Sequence, residues 1–230
     1  YSTGDKERLE EFAKKIWYAD DGGGGGTLDQ LLAWWQDLQK SGPLFGYFPK
    51  ASKTWLIVKP GNLERAQTMF PGINITDQGY KYLGSYIGSE AGQAQYVNGQ
   101  VNDWIDDVNA LAKIAKSEPQ LAYAAYVYGM SKRWAFLCRT TPNVSKQMRR
   151  LEHHISLTLL PVIIGKDHIT DQSRLIFSMP AKYGGIGFLD PSSVSQLEYE
   201  SSLQATSQLT DAIFQQQMSL RIDDEAQSKT

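Results

Sequence analysis

The 230-residue sequence contains little cysteine, little net charge and no long apolar run. Its one cysteine, Cys138, excludes an internal disulfide and is typical of a reducing compartment, so we expect an intracellular protein of the nucleus or cytoplasm. No stretch approaches the roughly 18 uncharged apolar residues of a membrane span, and no secretory signal is present, so no membrane partner is expected. The formal net charge of −2 does not attract phosphates, so a nucleic-acid partner would need a local basic face.

Hydrophobic patterning divides the sequence into a mixed region, residues 1–88, and a nearly all-helical region, residues 89–230, which predicts an α+β fold class. In the first region we expect helices at 3–13, 28–41 and 62–70, strands at 14–19 and 54–59, and a strand pair from "INIT" and "KYLGSYIG" around a Gln78-Gly79 turn. In the second region we expect helices at 101–116, 119–139, 144–165, 173–179 and 192–217, with "PAKYGGIGFLDP" as a loop.

Two adjacent carboxylates, Asp20 and Asp21, stand between the apolar run "KKIWYA" and five glycines. At an effective dielectric of about 20, two like charges about 5 Å apart cost roughly 3 kcal/mol. Either water screens the pair on a surface turn, or a cation lies between the two carboxylates. Carboxylates are the protein ligands that Mg²⁺ prefers, and two-metal nucleotidyl transfer uses them. The glycines would leave room for a large substrate to approach.

Three other interpretations of this stretch compete with a metal site: a solvated turn, a phosphate cradle and a flexible linker. The pair could be a solvated turn, as we expect for the other Asp-Asp dipeptides at 106–107 and 223–224. A phosphate cradle before helix 28–41 is a weaker hypothesis, because no G-x-x-x-x-G-K-[ST] motif is present and two carboxylates would repel a bare phosphate. A flexible glycine linker is disfavoured because structured patterning resumes at Thr27, which is predicted to cap the helix.

Five stretches of sequence, in four blocks, resemble reverse transcriptases of animal retrotransposons of the non-LTR-like kind, in the order of that family. "WYADD" resembles the Tyr-x-Asp-Asp hairpin of the polymerase palm, and "YFPKASKTWLIVK" resembles the lysine-containing loop and strand that follow. "YKYLGSYIG" resembles the Leu-Gly hairpin that grips the primer. "SEPQLAYAAYVYGMSKRWAFLCRTTP" and "FSMPAKYGGIGFLDP" resemble the helical region after the palm, including its LP-x-x-x-GG-x-G signature. The resemblance covers roughly residues 14–200.

The resemblance implies roles for the residues of the Tyr-x-Asp-Asp block. Asp20 would be the principal ligand of Mg²⁺, with Mn²⁺ as the alternative ion, and Asp21 would be the supporting ligand. Tyr18 would pack beneath the hairpin, and Ala19 would leave room for the primer end.

The next two blocks carry further implied roles. Lys53 would help pyrophosphate to leave, as a general acid, and Lys50 is the nearby alternative. A solvated strand edge is the competing interpretation of Lys53. Leu83 and Gly84 would form the turn of the primer grip.

The resemblance also implies a domain organisation and partners. Residues 1–88 would be the C-terminal part of the palm, with a small antiparallel sheet, and residues 89–230 a thumb-like or connection-like helical region. A further metal-binding aspartate, the fingers and the nucleotide-selecting region lie upstream in that family, and the chain does not begin with Met. We therefore expect the C-terminal part of an RNA-directed DNA polymerase, which alone would not polymerise. Its partners would be an RNA template, a DNA primer, a deoxynucleoside triphosphate and the upstream segment.

Two other functions stay open. The first is a non-catalytic nucleic-acid-binding or scaffold module derived from a retroelement, which the loose five-glycine run and the acidic net charge favour. The second is a phosphate-binding loop domain. Tight nucleotide binding without a divalent metal would favour that second alternative.

Several other residues receive structural interpretations. Basic side chains in the helical region either contact duplex phosphates or are ordinary surface charge: Lys132, Arg133, Arg139, Lys146, Arg149 and Arg150. Four tryptophans within helical apolar patterns are predicted to be core: Trp34, Trp35, Trp104 and Trp134. The neighbours His153 and His154 diverge on a helix and cannot chelate one ion, and Cys138 is assigned no chemistry. Three glycines are predicted to serve a tight turn: Gly184, Gly185 and Gly187.

Overall fold

The computed structural model of the chain describes residues 13–217. Within this range the fold is α+β and mainly helical, which confirms the predicted class. The chain forms two compact units: unit 1 is drawn from residues 1–80 and 205–230, and unit 2 from residues 81–204. The helix predicted at 3–13 lies, but for its last residue, outside the described range. Among the described residues no helix is long and apolar enough to cross a membrane.

Helices supply most of the described secondary structure. The α-helices are α1 (Leu28–Ser41), α2 (Leu63–Met69), α3 (Glu90–Ala115), α4 (Pro119–Ala124), α5 (Ser131–Thr140), α6 (Ser145–His154), α7 (Leu160–Ile164), α8 (Asp171–Ser178) and α9 (Pro191–Phe214). Two π-helical segments, Ala125–Met130 and Ile155–Leu159, join α4 to α5 and α6 to α7. Short 3-10 turns lie at Gly42–Phe45, Ala51–Lys53, Pro60–Asn62 and Ala181–Tyr183.

The strands of the described range are β1 (Lys14–Tyr18), β2 (Asp21–Gly25), β3 (Trp55–Ile57), β4 (Asn74–Thr76), β5 (Gly79–Tyr82) and β6 (Ser85–Gly88). They pair as three two-stranded sheets, β1 with β2, β3 with β4, and β5 with β6. β1 and β2 are antiparallel, with Tyr18 opposite Asp21, whereas β3 and β4 are parallel, with Leu56 opposite Ile75.

The prediction that "INIT" and "KYLGSYIG" pair with each other around Gln78-Gly79 is wrong. "INIT" pairs instead with β3, because α2 supplies the crossover that a parallel pair requires. "KYLGSYIG" folds back on itself at Leu83 and Gly84, whose positive φ angles of 47° and 83° suit a two-residue hairpin turn. This second hairpin is the one that the reverse transcriptase resemblance implies.

The start of α1 matches its prediction. The Thr27 hydroxyl accepts a hydrogen bond from the Gln30 amide at 3.3 Å, and Gln30 Oε1 accepts one from the Thr27 amide at 2.8 Å. This reciprocal arrangement is a capping box. It begins the helix at Leu28, three residues after β2 ends at Gly25.

Tryptophan rings cover alternate glycines of β2. A Cβ atom on Gly22 would lie 2.9 Å from the Trp17 ring, and one on Gly24 would lie 2.4 Å from the Trp34 ring. Trp17 is the register partner of Gly22 across the hairpin. On this face the glycines accommodate indole rings, which is a packing role that the sequence did not reveal.

We expect Gly24→Ala to destabilise unit 1 by about 2 kcal/mol, because the new methyl group overlaps the Trp34 ring. Urea unfolding followed by tryptophan fluorescence measures the effect. Gly25→Ala is the matched control, since no atom lies within 4 Å of its Cβ position. Its free energy of unfolding should stay within about 0.5 kcal/mol of the parent value. Equal effects at the two positions would contradict this packing role.

The core of unit 2 forms along the apolar face of α3 and the helices packed against it. Trp104 and Trp134 are both buried, with ring centroids 5.9 Å apart in an edge-to-face arrangement, so both are core residues as predicted. In unit 1, Trp34 and Trp35 are only half-buried. Their prediction as core residues is therefore met in part, because α1 has no fully buried residue.

The segment "PAKYGGIGFLDP" is a loop, as predicted, that packs closely on α8. A Cβ atom on Gly185 would lie 2.0 Å from the Met179 carbonyl oxygen, so this position admits no side chain. Gly184 and Gly187 adopt positive φ angles of 83° and 69°. The three glycines therefore do serve tight backbone turns.

Candidate functional site

The hairpin of β1 and β2 carries the two predicted metal ligands at its end. Ala19 and Asp20 form the two-residue turn, and Asp21 is the first residue of β2. Ala19 has a φ of 51°, a left-handed conformation that is uncommon for alanine. Both carboxylates are exposed, and neither has a hydrogen-bond or ion-pair partner within residues 13–217. The hairpin therefore projects two adjacent carboxylates into solvent.

Tyr18 and Trp17 lie on opposite faces of this hairpin, because side chains alternate along a strand. The Tyr18 side chain is 65% exposed, so the packing that the resemblance implies for it is not formed among the described residues. Trp17 packs against the hairpin instead. Its ring covers Gly22 and meets the Tyr47 ring edge-on, with centroids 5.2 Å apart.

The carboxylate pair has the donor chemistry of a magnesium site. Mg²⁺ is bound by one or two protein carboxylates and keeps the rest of its oxygen ligands from water and substrate phosphates. Asp20 and Asp21 supply that number, and both are open to a phosphate-bearing ligand. No group of three or more His, Cys, Asp or Glu side chains able to hold a metal occurs among residues 13–217. Two exposed carboxylates therefore stand at the positions that the sequence predicts to be metal ligands.

Lys50 precedes and Lys53 ends a short turn of unit 1 that hydrogen bonds hold in place. Lys53 ends the 3-10 turn Ala51–Lys53, and its amide donates to the Lys50 carbonyl at 3.0 Å. The Asn74 side chain fixes this turn by donating to the Ser52 carbonyl at 2.9 Å. Both lysine side chains are exposed. A fixed backbone with free ammonium groups can present a cation to an anionic leaving group.

The second hairpin turn is strained and supported from behind. Leu83 is a non-glycine residue at positive φ, yet its side chain is 43% exposed and gains little burial there. The Gly84 carbonyl accepts a hydrogen bond from the Tyr96 hydroxyl at 3.1 Å. A Cβ atom on Gly84 would lie 3.0 Å from the Phe136 ring. Strain of this kind in an exposed apolar tip points to a role beyond stability.

We expect Leu83→Asn to stabilise unit 2 by about 1 kcal/mol, because asparagine tolerates the left-handed conformation that leucine resists. Thermal unfolding measures the change. Ile87→Asn is the matched control, since Ile87 is an exposed residue of β6 without a positive φ. No stabilisation is expected for the control. A loss of stability in Leu83→Asn would contradict the assignment of strain.

The predicted basic face of the helical region is partly neutralised. Arg133 forms an ion pair with Asp107, and Arg139 forms one with Glu198 at 2.6 Å. Arg150 donates to the side chains of Asn98 and Asn102. Four exposed cations have no ion-pair partner among the described residues: Lys132, Lys146, Arg149 and Arg150. The surface available to phosphates is therefore smaller than the six-residue set predicted.

The side chains of His153 and His154 diverge, as the sequence predicted. The rings of His153 and His154 are nearly perpendicular, with centroids 6.1 Å apart. Cys138 is buried. Burial, with a smaller contribution from Glu198, raises the pKa of the Cys138 thiol to about 12. Because the thiolate is the reactive form, Cys138 is inert at neutral pH.

A partly buried ion pair in unit 2 was missed by sequence reasoning. Arg174 binds Glu152 through two hydrogen bonds of 2.6 and 2.7 Å, and its Nη1 donates to the Phe188 carbonyl at 2.6 Å. The Phe188 ring stacks on Tyr126 at 3.7 Å, and the Tyr126 hydroxyl donates to the Leu189 carbonyl at 3.2 Å. Burial raises the pKa of the Glu152 carboxyl, and the guanidinium beside it offsets part of that shift. This cluster anchors the glycine-rich loop to the helical core.

No protein-family model, curated protein or solved structure matches this chain. The grounds for a function are therefore the two hairpins, with their exposed carboxylates and strained tip, and the motifs that resemble those of reverse transcriptases.

Proposed function

We propose that this chain is the C-terminal part of the RNA-directed DNA polymerase of a retrotransposon, comprising the end of the palm and a thumb-like helical region. One observation supports the proposal above others. Asp20 and Asp21 stand at the tip of a two-stranded hairpin, exposed and without a partner within residues 13–217. A divalent cation between the two carboxylates would relieve their repulsion, and exposed carboxylates at a hairpin tip are ligands suited to such a cation.

In this proposal Asp20 is the principal ligand of Mg²⁺ or Mn²⁺, and Asp21 supports it. When bound, the ion supplies charge stabilisation to a transferring phosphoryl group. Ala19 keeps the tip small where the primer end approaches, and Lys53 donates a proton to the departing pyrophosphate. Leu83 and Gly84 hold the primer strand through the supported turn. The partners are an RNA template, a DNA primer and a deoxynucleoside triphosphate, and an upstream segment of a longer chain contributes the further aspartate.

Metal binding tests the proposal in the chain itself. Mn²⁺ added to the ¹⁵N-labelled chain should broaden the amide signals of residues 18–23 before any others. Asp20→Asn should remove this broadening. Asp106→Asn is the matched control, because Asp106 is also exposed and belongs to an Asp-Asp pair, but on α3. Broadening spread evenly over all exposed carboxylates would overturn the assignment of the site.

RNA-templated primer extension tests the activity. A longer chain that includes the upstream palm and fingers should extend a DNA primer in the presence of Mg²⁺, and the 230-residue chain alone should not. Robust synthesis by the 230-residue chain would contradict the proposal that it is a part of the enzyme.

A second candidate function is a non-catalytic scaffold module derived from such an element. Three strongly exposed apolar side chains after α1 favour it: Leu44, Phe45 and Phe48. The double variant Asp20→Asn, Asp21→Asn in the longer chain separates the two functions. Lost extension with retained fold supports the polymerase, whereas unchanged behaviour supports the scaffold.

A further inference from the structure

The C-terminal end of α9 has an unusual residue at its cap. The Gln217 amide donates to the Ala212 carbonyl at 2.9 Å, and the Gln216 amide donates to the Ile213 carbonyl at 3.0 Å. This pair of bonds defines a Schellman motif, whose left-handed position usually holds glycine. Gln216 occupies that position with a φ of 53°. A long side chain is therefore kept where the backbone would favour none.

The Gln216 side chain explains why it occupies this position. Its Oε1 accepts a hydrogen bond from the Lys15 amide at 3.1 Å, and its Nε2 donates to the Lys15 carbonyl at 3.0 Å. The Gln216 Nε2 also donates a hydrogen bond to the Ile213 carbonyl at 2.6 Å. The carboxamide thus makes the two bonds with Lys15 that one residue of a neighbouring strand would make.

These bonds act on the outer edge of β1. In an antiparallel pair the backbone groups of alternate residues point away from the partner strand. Because the amide and carbonyl of Lys15 both reach Gln216, they lie on that outer edge. One residue earlier in β1, the Lys14 ammonium lies 5.2 Å from the centroid of the Phe214 ring. Adjacent residues of β1 therefore both contact the C-terminal end of α9, Lys14 through Phe214 and Lys15 through the cap residue Gln216.

We propose that Gln216 is a positioning residue, which closes the edge of β1 and fixes the base of the hairpin whose tip carries Asp20 and Asp21. An isolated two-stranded hairpin is marginally stable, so an anchor at its base limits the motion of its tip. The expected effect on metal binding rests on the function proposed above. The hydrogen bonds between Gln216 and Lys15, which we call the Lys15 clamp, are independent of that function, because both residues belong to unit 1.

The decisive experiment measures amide hydrogen exchange of the 230-residue chain by NMR. Gln216→Gly keeps the left-handed conformation and removes the carboxamide, and Gln216→Asn keeps a carboxamide that is one methylene shorter. In both variants the Lys15 amide should exchange about tenfold faster than in the parent chain. The Gln217 amide is the internal control, since its bond to Ala212 belongs to the helix cap and should keep its protection in Gln216→Gly.

A purely structural cap would give a different result. Glycine is the preferred residue at that position, so Gln216→Gly would then leave Lys15 exchange unchanged, and this outcome would overturn the inference. The second readout is the Mn²⁺ affinity of residues 18–23, which should fall about threefold in both variants. Unchanged affinity beside faster Lys15 exchange would overturn the positioning role. Absence of Mn²⁺ binding in the parent chain would refute the proposed function. Hydrogen exchange of the Lys15 amide would still test whether Gln216 holds Lys15.

Discussion

Replacing Arg174 with alanine is expected to lower the free energy of unfolding of unit 2 by about 3–5 kcal/mol. The substitution leaves the Glu152 carboxylate, whose side chain is only 14% exposed, without its guanidinium partner. It also removes the hydrogen bond to the Phe188 carbonyl. Urea unfolding, with amide exchange of α6 to report on unit 2, measures the loss.

Arg133→Ala is the control for this prediction, because it also breaks an arginine–carboxylate ion pair in unit 2, but an exposed one with Asp107. Its cost should stay below about 1 kcal/mol. The double variant Glu152→Leu, Arg174→Leu should recover much of the stability that Arg174→Ala loses, since no partly buried charge is left unpaired. A double variant less stable than Arg174→Ala would show that the hydrogen bond to the loop, rather than the stranded carboxylate, dominates.

Replacing Asp20 with asparagine is expected to lower the rate of RNA-templated primer extension by about 10³-fold or more in the longer chain. That loss corresponds to roughly 4 kcal/mol of transition-state stabilisation. Asparagine keeps the size of the side chain and removes the charge, and Asp20 is exposed, so the fold should be unaffected. Single-turnover extension with saturating nucleotide measures the chemical step.

Two comparisons sharpen this prediction. Asp21→Asn should slow extension by a smaller factor, about 10- to 100-fold, because Asp21 is the supporting ligand. Asp106→Asn should leave the rate unchanged. Equal losses for Asp20→Asn and Asp106→Asn would indicate a nonspecific effect of net charge and contradict the assignment of the metal ligands.

The elements that could be predicted from the sequence are those fixed by neighbouring residues. Thr27 begins α1 because its partner Gln30 is three residues away. The apolar strand before Asp20 and the helical spacing through Trp104 are likewise local patterns. The position of Asp20 at a hairpin turn agrees with the Tyr-x-Asp-Asp resemblance. What that turn binds is still a proposal.

Two of the missed features join residues that are distant in sequence. Gln216 and Lys15 are 201 positions apart, and Arg174 and Glu152 are 22 positions apart. Neither separation corresponds to a short helical or strand spacing, so the sequence does not indicate that these residues are in contact. The parallel pairing of β3 with β4 was missed because a turn signal at Gln78-Gly79 competed with a longer crossover. Local chemistry suggested a hairpin there, and tertiary packing selected the other pairing.

The indole-covered glycines of β2 have a consequence for how this stretch can vary. Tolerance to substitution should follow the pleat, with a period of two, although the residues are chemically identical. Gly22 and Gly24 face aromatic rings, whereas Gly25 faces open space. In a saturation mutagenesis library of residues 22–25, alanine and serine should be recovered at position 25 and depleted at positions 22 and 24. Substitutions in this run of glycines would thus be tolerated at alternate positions, although every position has the same residue.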